Sequence, residues 1–122
     1  MVNDMQPRIK SYDFGKMFID GETHTRDLII TPKGIIGNWW RKEGHRLQLD
    51  DIKHYVPEDL DYDAVVIGTG YYGYMVVDKD VIEYFENKGV EVYVLDTRKA
   101  VKKYNELVDK GKKVLGLFHL TC

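Results

Sequence analysis

A chain of 122 residues has room for one domain, because single cores commonly hold about 100 to 150 residues, and residues 1–122 are read as that domain. Its 43% hydrophobic and 31% charged residues and net charge of −2 exclude the disordered and membrane-spanning classes and leave no global field to draw nucleic acid or an anionic membrane. One cysteine excludes an internal disulfide, and Met1 to Gln6 carry neither the basic start nor the apolar core of a secretory signal, so a cytoplasmic setting is expected.

In chain order, the first third reads as strands and tight turns. Phe18-Ile19 precedes Asp20-Gly21, Leu28-Ile29-Ile30 precedes Pro32-Lys33-Gly34, and Ile35 to Trp40 follows; the latter two runs should pair as a hairpin. On such a strand Trp39 and Trp40 point to opposite faces, one of them into the core. The charged stretch Arg41 to Arg46 suggests a loop. Leu49, Ile52 and Val56 fall on one side of a short helix that Pro57 should end.

From Asp63 the pattern changes. Ala64 to Ile67, Val90 to Leu95 and Val114 to Phe118 are continuous apolar runs, which suit strands buried on both faces. Asp80 and Glu83 have capping-box spacing and place a helix start near residue 79. Ala100, Val101, Tyr104, Leu107 and Val108 form one apolar stripe, with Thr97 as a plausible N-cap and Gly111 as the stop. This is a βαβαβ half with three parallel strands, preceded by a β-hairpin region. The class is α/β.

Gly68-Thr69-Gly70-Tyr71-Tyr72-Gly73 spells the G-x-G-x-x-G of a dinucleotide loop. That loop holds pyrophosphate only when it runs straight into a helix, whose free N–H groups and positive end meet the charge. Here Tyr74 to Val77 intervenes, so the segment reads as an excursion over the strand ends, with Gly68 and Gly70 making a sharp turn. No NAD or FAD, and no other cofactor, is expected.

Ile67-Gly68-Thr69-Gly70, Asp96-Thr97 followed by Ala100, Tyr104-Asn105, Gly111 and the ending Phe118-His119-Leu120-Thr121-Cys122 together resemble the small family catalogued as domain of unknown function four-nine-eight. The likeness is nearest to its adipogenesis-associated branch, and distant kin include a mitochondrial complex I assembly factor. It extends weakly through Gly15-Lys16-Met17 and Trp39-Trp40-Arg41. The resemblance implies a three-layer α/β fold with a central mixed sheet, a cytoplasmic setting and an assembly role through protein partners.

Among individual residues, Asp96 either caps the helix that follows or binds a ligand hydroxyl, and the cap is the commoner use. Asn105, at the edge of the apolar stripe, should have a structural hydrogen bond. His119 and Cys122 have H-x-x-C spacing, yet two ligands make a weak metal site and no metal is expected. Strand-end loops of a parallel sheet open on one side, so Gly68, Thr69, Gly70, Tyr71, Asp96, Thr97, Arg98, His119 and Cys122 should converge. Their groove would hold an anion or polar group on backbone N–H groups. The chain is thus read as a protein-interaction or assembly module with an unidentified protein partner, more naturally non-enzymatic than catalytic; the groove leaves room for a small-molecule ligand, and self-association stays open.

Overall fold

Two neighbouring residues with positive φ start the architecture. Asp20 (φ 53°) and Gly21 (φ 80°) form a two-residue turn of the kind that matches strand twist, and they close β2 (Lys16–Ile19) onto β3 (Glu22–His24) with Ile19 opposite Glu22. With β1 (Ile9–Asp13) these make a three-stranded antiparallel sheet. The computed structural model describes residues 6–122.

The central sheet has five strands in the order β5 (Gly34–Ile36), β4 (Leu28–Thr31), β10 (Val114–His119), β7 (Ala64–Thr69) and β9 (Glu91–Leu95). β7, β9 and β10 are parallel, whereas β4 runs antiparallel to both β5 and β10. The hairpin expected at Pro32-Lys33-Gly34 is therefore present, and the sheet is mixed. A two-stranded parallel ribbon joins β6 (Arg46–Leu47) to β8 (Val76–Val77).

Alternation along β7 sorts the core into two clusters. Ala64 and Val66 pack with Ala100, Tyr104, Leu107 and Val108 of α3 (Thr97–Asp109), and with Ile9, Met17 and Ile19 beneath. Val65 and Ile67 pack on the other face with Val81 and Phe85 of α2 (Lys79–Asn87), Ile52 of α1 (Leu49–Lys53), Trp39 and Leu47. Helices on both faces make three layers around the sheet.

Several local expectations need correction. The run Val90 to Leu95 forms the edge strand β9, where Val94 is 41% exposed; an apolar run records hydrophobicity but not position in the sheet. Trp39 and Trp40 lie beyond β5, past Asn38 at φ 52°, although one indole is buried and the other exposed as foreseen. Helix α1 stops at Lys53, ahead of Pro57. The N-cap of α2 is Asp78 rather than Asp80, and its carboxylate is held by Arg46 at 2.8 and 3.1 Å. Thr97 is the first residue of α3, and Asp96 is its cap, accepting the Lys99 N–H at 3.1 Å.

Asn105 has the structural bond foreseen for it. Its amide donates to Ile9 O at 2.9 Å and accepts the Ile9 N–H at 2.8 Å, locking β1 onto α3. Asn105→Ala strands both groups of Ile9, so a loss of about 1–3 kcal/mol is expected in urea unfolding. Faster hydrogen exchange at the Ile9 amide should accompany it.

Candidate functional site

The parallel register puts Gly68 beside both Phe118 and Leu95, and Thr69 beside His119. The loops that leave these strands must meet, and they are stitched together. Thr97 Oγ1 accepts the Gly70 N–H at 2.8 Å and donates to His119 O at 2.7 Å, while the Thr97 N–H reaches Gly70 O at 2.9 Å. The Tyr71 N–H donates to Thr121 O at 2.7 Å and the Tyr74 N–H to Cys122 O at 3.0 Å. Arg98 lies over the Tyr71 ring, 4.6 Å from its centroid. Among the expected residues, Gly70, Tyr71, Thr97, His119 and Cys122 thus share one bonded junction, with Gly68, Thr69, Asp96 and Arg98 around it.

This junction explains the glycines. Gly68 and Thr69 belong to β7 rather than to a loop, and a Cβ on Gly68 would come within 2.8 Å of Thr97 Oγ1 and 2.9 Å of Phe118. Gly70, at φ 110°, lies against the backbone of Thr121 and Cys122. The glycines admit protein backbone and side chain where a dinucleotide loop would admit pyrophosphate, and the next helix starts only at Lys79. Calorimetric titration with NAD or FAD should show no binding below about 1 mM, an affinity worth only about 4 kcal/mol; a micromolar constant would overturn this reading of the motif.

Beside the junction opens a cavity of about 780 Å³, lined by Thr25 to Asp27, Asn38 to Lys42, Gly44, His119 and Thr121. Its wall holds a charged cluster. Asp27 Oδ1 accepts the Leu120 N–H at 2.8 Å, and Oδ2 lies 2.8 Å from His119 Nδ1 and 2.7 Å from Arg41 Nη1. Arg41 is 6% exposed and His119 5%. Arg41 Nη2 donates to Gly44 O at 2.8 Å and lies 3.0 Å from His119 Nδ1, with the guanidinium 4.9 Å from the centre of the Trp39 ring.

Two facts about this cluster bear on chemistry. Nδ1 faces both a carboxylate and a guanidinium, and these ask for opposite tautomers. A bare ring nitrogen against Asp27 Oδ2 would set two lone pairs face to face, and this carboxylate contact at 2.8 Å is shorter than the 3.0 Å contact with Nη2; the proton is therefore assigned to Nδ1, which donates to Asp27. Further, Arg41 Nε and His119 Nε2 are enclosed with no hydrogen-bond partner among the described residues. Arg41 Nη1 touches Asp27 as a charge, but without the alignment of a hydrogen bond. Burial by itself would raise the Asp27 carboxyl; the His119 bond, the Leu120 N–H and the Arg41 charge outweigh it and hold the carboxyl below its ordinary value.

Sequence reasoning found His119 but missed Asp27 and Arg41. Arg41 opens the charged stretch that suggests a loop, and 78 positions separate it from His119. No spacing signals such a pair. Among the described residues no three His, Cys, Asp or Glu side chains gather as a metal site, and no described helix is long and apolar enough to cross a membrane.

Three solved structures show the same fold. A conserved hypothetical protein of Pyrococcus horikoshii is 29% identical, with 94% of this chain and 99% of that one covered and a TM-score of 0.77. A Bartonella henselae protein described as an outer membrane protein is 21% identical, over 98% of each chain, with a TM-score of 0.79. A Bordetella pertussis protein described as an Mth938-like domain is 14% identical, over 97% of this chain and 87% of that one, with a TM-score of 0.60. The family model described as "Protein of unknown function (DUF498/DUF598)" matches residues 9–119, within which lies every member of the Asp27–Arg41–His119 cluster: the chain belongs to the DUF498/DUF598 family.

Proposed function

We propose that this chain is a non-enzymatic protein-interaction or assembly module of the cytoplasm, and that it docks its partner on the aromatic surface beside the strand-end junction. One observation carries the reading. Tyr12, Phe14, Tyr71, Tyr72 and Tyr74 form a continuous series of ring contacts, with centroids 5.1 to 6.1 Å apart. Phe14, Tyr72, Tyr74 and the adjoining Val76 are 46%, 59%, 65% and 63% exposed. Contiguous apolar surface of this kind marks contact sites, and tyrosine supplies area and a polar tip at low entropic cost. The N–H groups of Gly70, Tyr71 and Thr97 are already spent within the junction, which favours a partner on this surface over an anion in the groove beneath.

A photo-crosslinking amino acid at position 72 or 74, compared with one at Lys33, tests this in native lysate. The expected result is one discrete protein adduct at 72 and 74 that unlabelled wild-type chain competes away and the Tyr72→Ser/Tyr74→Ser variant does not. No adduct, or the same adduct at position 33, overturns the proposal. If the adduct is a second copy of this chain, the module assembles with itself.

A further inference from the structure

The cavity beside the junction is independent of the aromatic surface and carries an inference of its own. Its charged lining is Arg26, Arg41 and Lys42 against a single acid, Asp27. That acid is fully engaged, since its two oxygens already meet the Leu120 N–H, His119 Nδ1 and Arg41 Nη1. Arg26 and Lys42 form no ion pair among the described residues. Among the described residues that line it, the cavity therefore carries an excess of positive charge with no carboxylate left to meet it.

Burial sharpens the point. A guanidinium held away from water with an N–H unused is costly, and an arriving oxyanion recovers that cost through a charge-assisted bond. Arg41 Nε is such a group. The volume, about 780 Å³, falls within the roughly 300–1,000 Å³ of small-molecule pockets and far exceeds the roughly 30 Å³ share of one water. A bare inorganic ion would leave most of it empty. Trp40, 69% exposed, offers an apolar face on the same wall.

We propose that this cavity binds a small organic acid, whose carboxylate or phosphate is drawn to Arg41, Arg26 and Lys42 and whose apolar body lies against Trp40. Nothing in this site depends on the aromatic surface, so either proposal can fail alone.

The test uses benzoate, phenyl phosphate, inorganic phosphate and the neutral benzamide as probes, titrated into the full chain and followed by backbone and arginine Nε–H NMR signals. Phenyl phosphate or benzoate should bind saturably with a constant below about 1 mM and shift the Arg41 Nε–H and the signals of residues 25–27 and 38–44. Benzamide should not bind. Arg26→Gln/Lys42→Gln, both exposed and expected to leave the fold intact, should weaken binding about tenfold, as rim charges do. Lys10→Gln/Lys33→Gln, an equal change of charge elsewhere on the surface, should leave it unchanged. Arg41→Lys removes the planar fork and should abolish binding wherever its spectrum shows a folded chain. The proposal falls if neither organic acid saturates, if benzamide competes equally, if the control pair weakens binding as much as the rim pair, or if inorganic phosphate binds as tightly as phenyl phosphate.

Discussion

Gly70→Val is expected to cost more than about 4 kcal/mol, the range reserved for changes that the structure cannot absorb, and so to remove much of a total stability of about 5–15 kcal/mol. A side chain there would run into the Cys122 carbonyl carbon and lie 2.6 Å from the oxygens of both Thr121 and Cys122. These are backbone atoms, which cannot rotate aside as a side-chain tip would. Moving the last residues away instead breaks the bonds from Tyr71 and Tyr74 to Thr121 O and Cys122 O. The positive φ of 110° adds strain for any β-branched residue. Gly111→Ala is the control, because Gly111 shares the positive φ but has nothing within 4 Å of an added Cβ; it should lose only about 1 kcal/mol. Chemical unfolding followed by circular dichroism measures both. Comparable losses for the two variants would show that the strand-end junction yields and is not rigidly packed.

Asp27→Ala should cost about 3–5 kcal/mol, the penalty of leaving a buried charge without its partner. It strands the Arg41 guanidinium, the His119 Nδ1 proton and the Leu120 N–H together. Asp27→Ala/Arg41→Met should recover a large part of the loss, because an apolar side chain leaves no cation to strand. A double variant as unstable as the sum of its singles would show that the ion contact contributes little.

The same carboxylate sets an acid limb. The Asp27 carboxyl is held below its ordinary value of 3.8, so the folded state binds its proton less readily than the unfolded chain does. Its stabilisation is fully present above about pH 5 and is lost as pH falls below 4 through the depressed value. In Asp27→Asn that part of the loss should vanish, so the difference between the two stability profiles isolates it from the exposed carboxylates of Glu58, Asp61 and Glu106, whose pairs with lysine are worth little. Parallel profiles below pH 5 would contradict the depressed value.

Features specified within a few residues were legible in the sequence. The Asp20-Gly21 turn, the stripe from Ala100 to Val108, the three apolar runs that became β7, β9 and β10, and the helix start at residue 79 each follow from neighbours one or two helical turns away. The displaced helix start already argued against the glycine motif as a nucleotide loop. Tertiary structure decided the rest. Insertion of β10 between β4 and β7 leaves β9 at the edge, although all the runs look alike in composition. Burial of Arg41 depends on Asp27, 14 positions before it, and on His119, 78 positions after it, and Asp27 meets His119 across 92 residues; no period records such separations. A buried charge is tolerable only where opposite charge and hydrogen bonds converge on it, and that convergence is a property of how distant strands and loops stack, which the order of residues along the chain does not display.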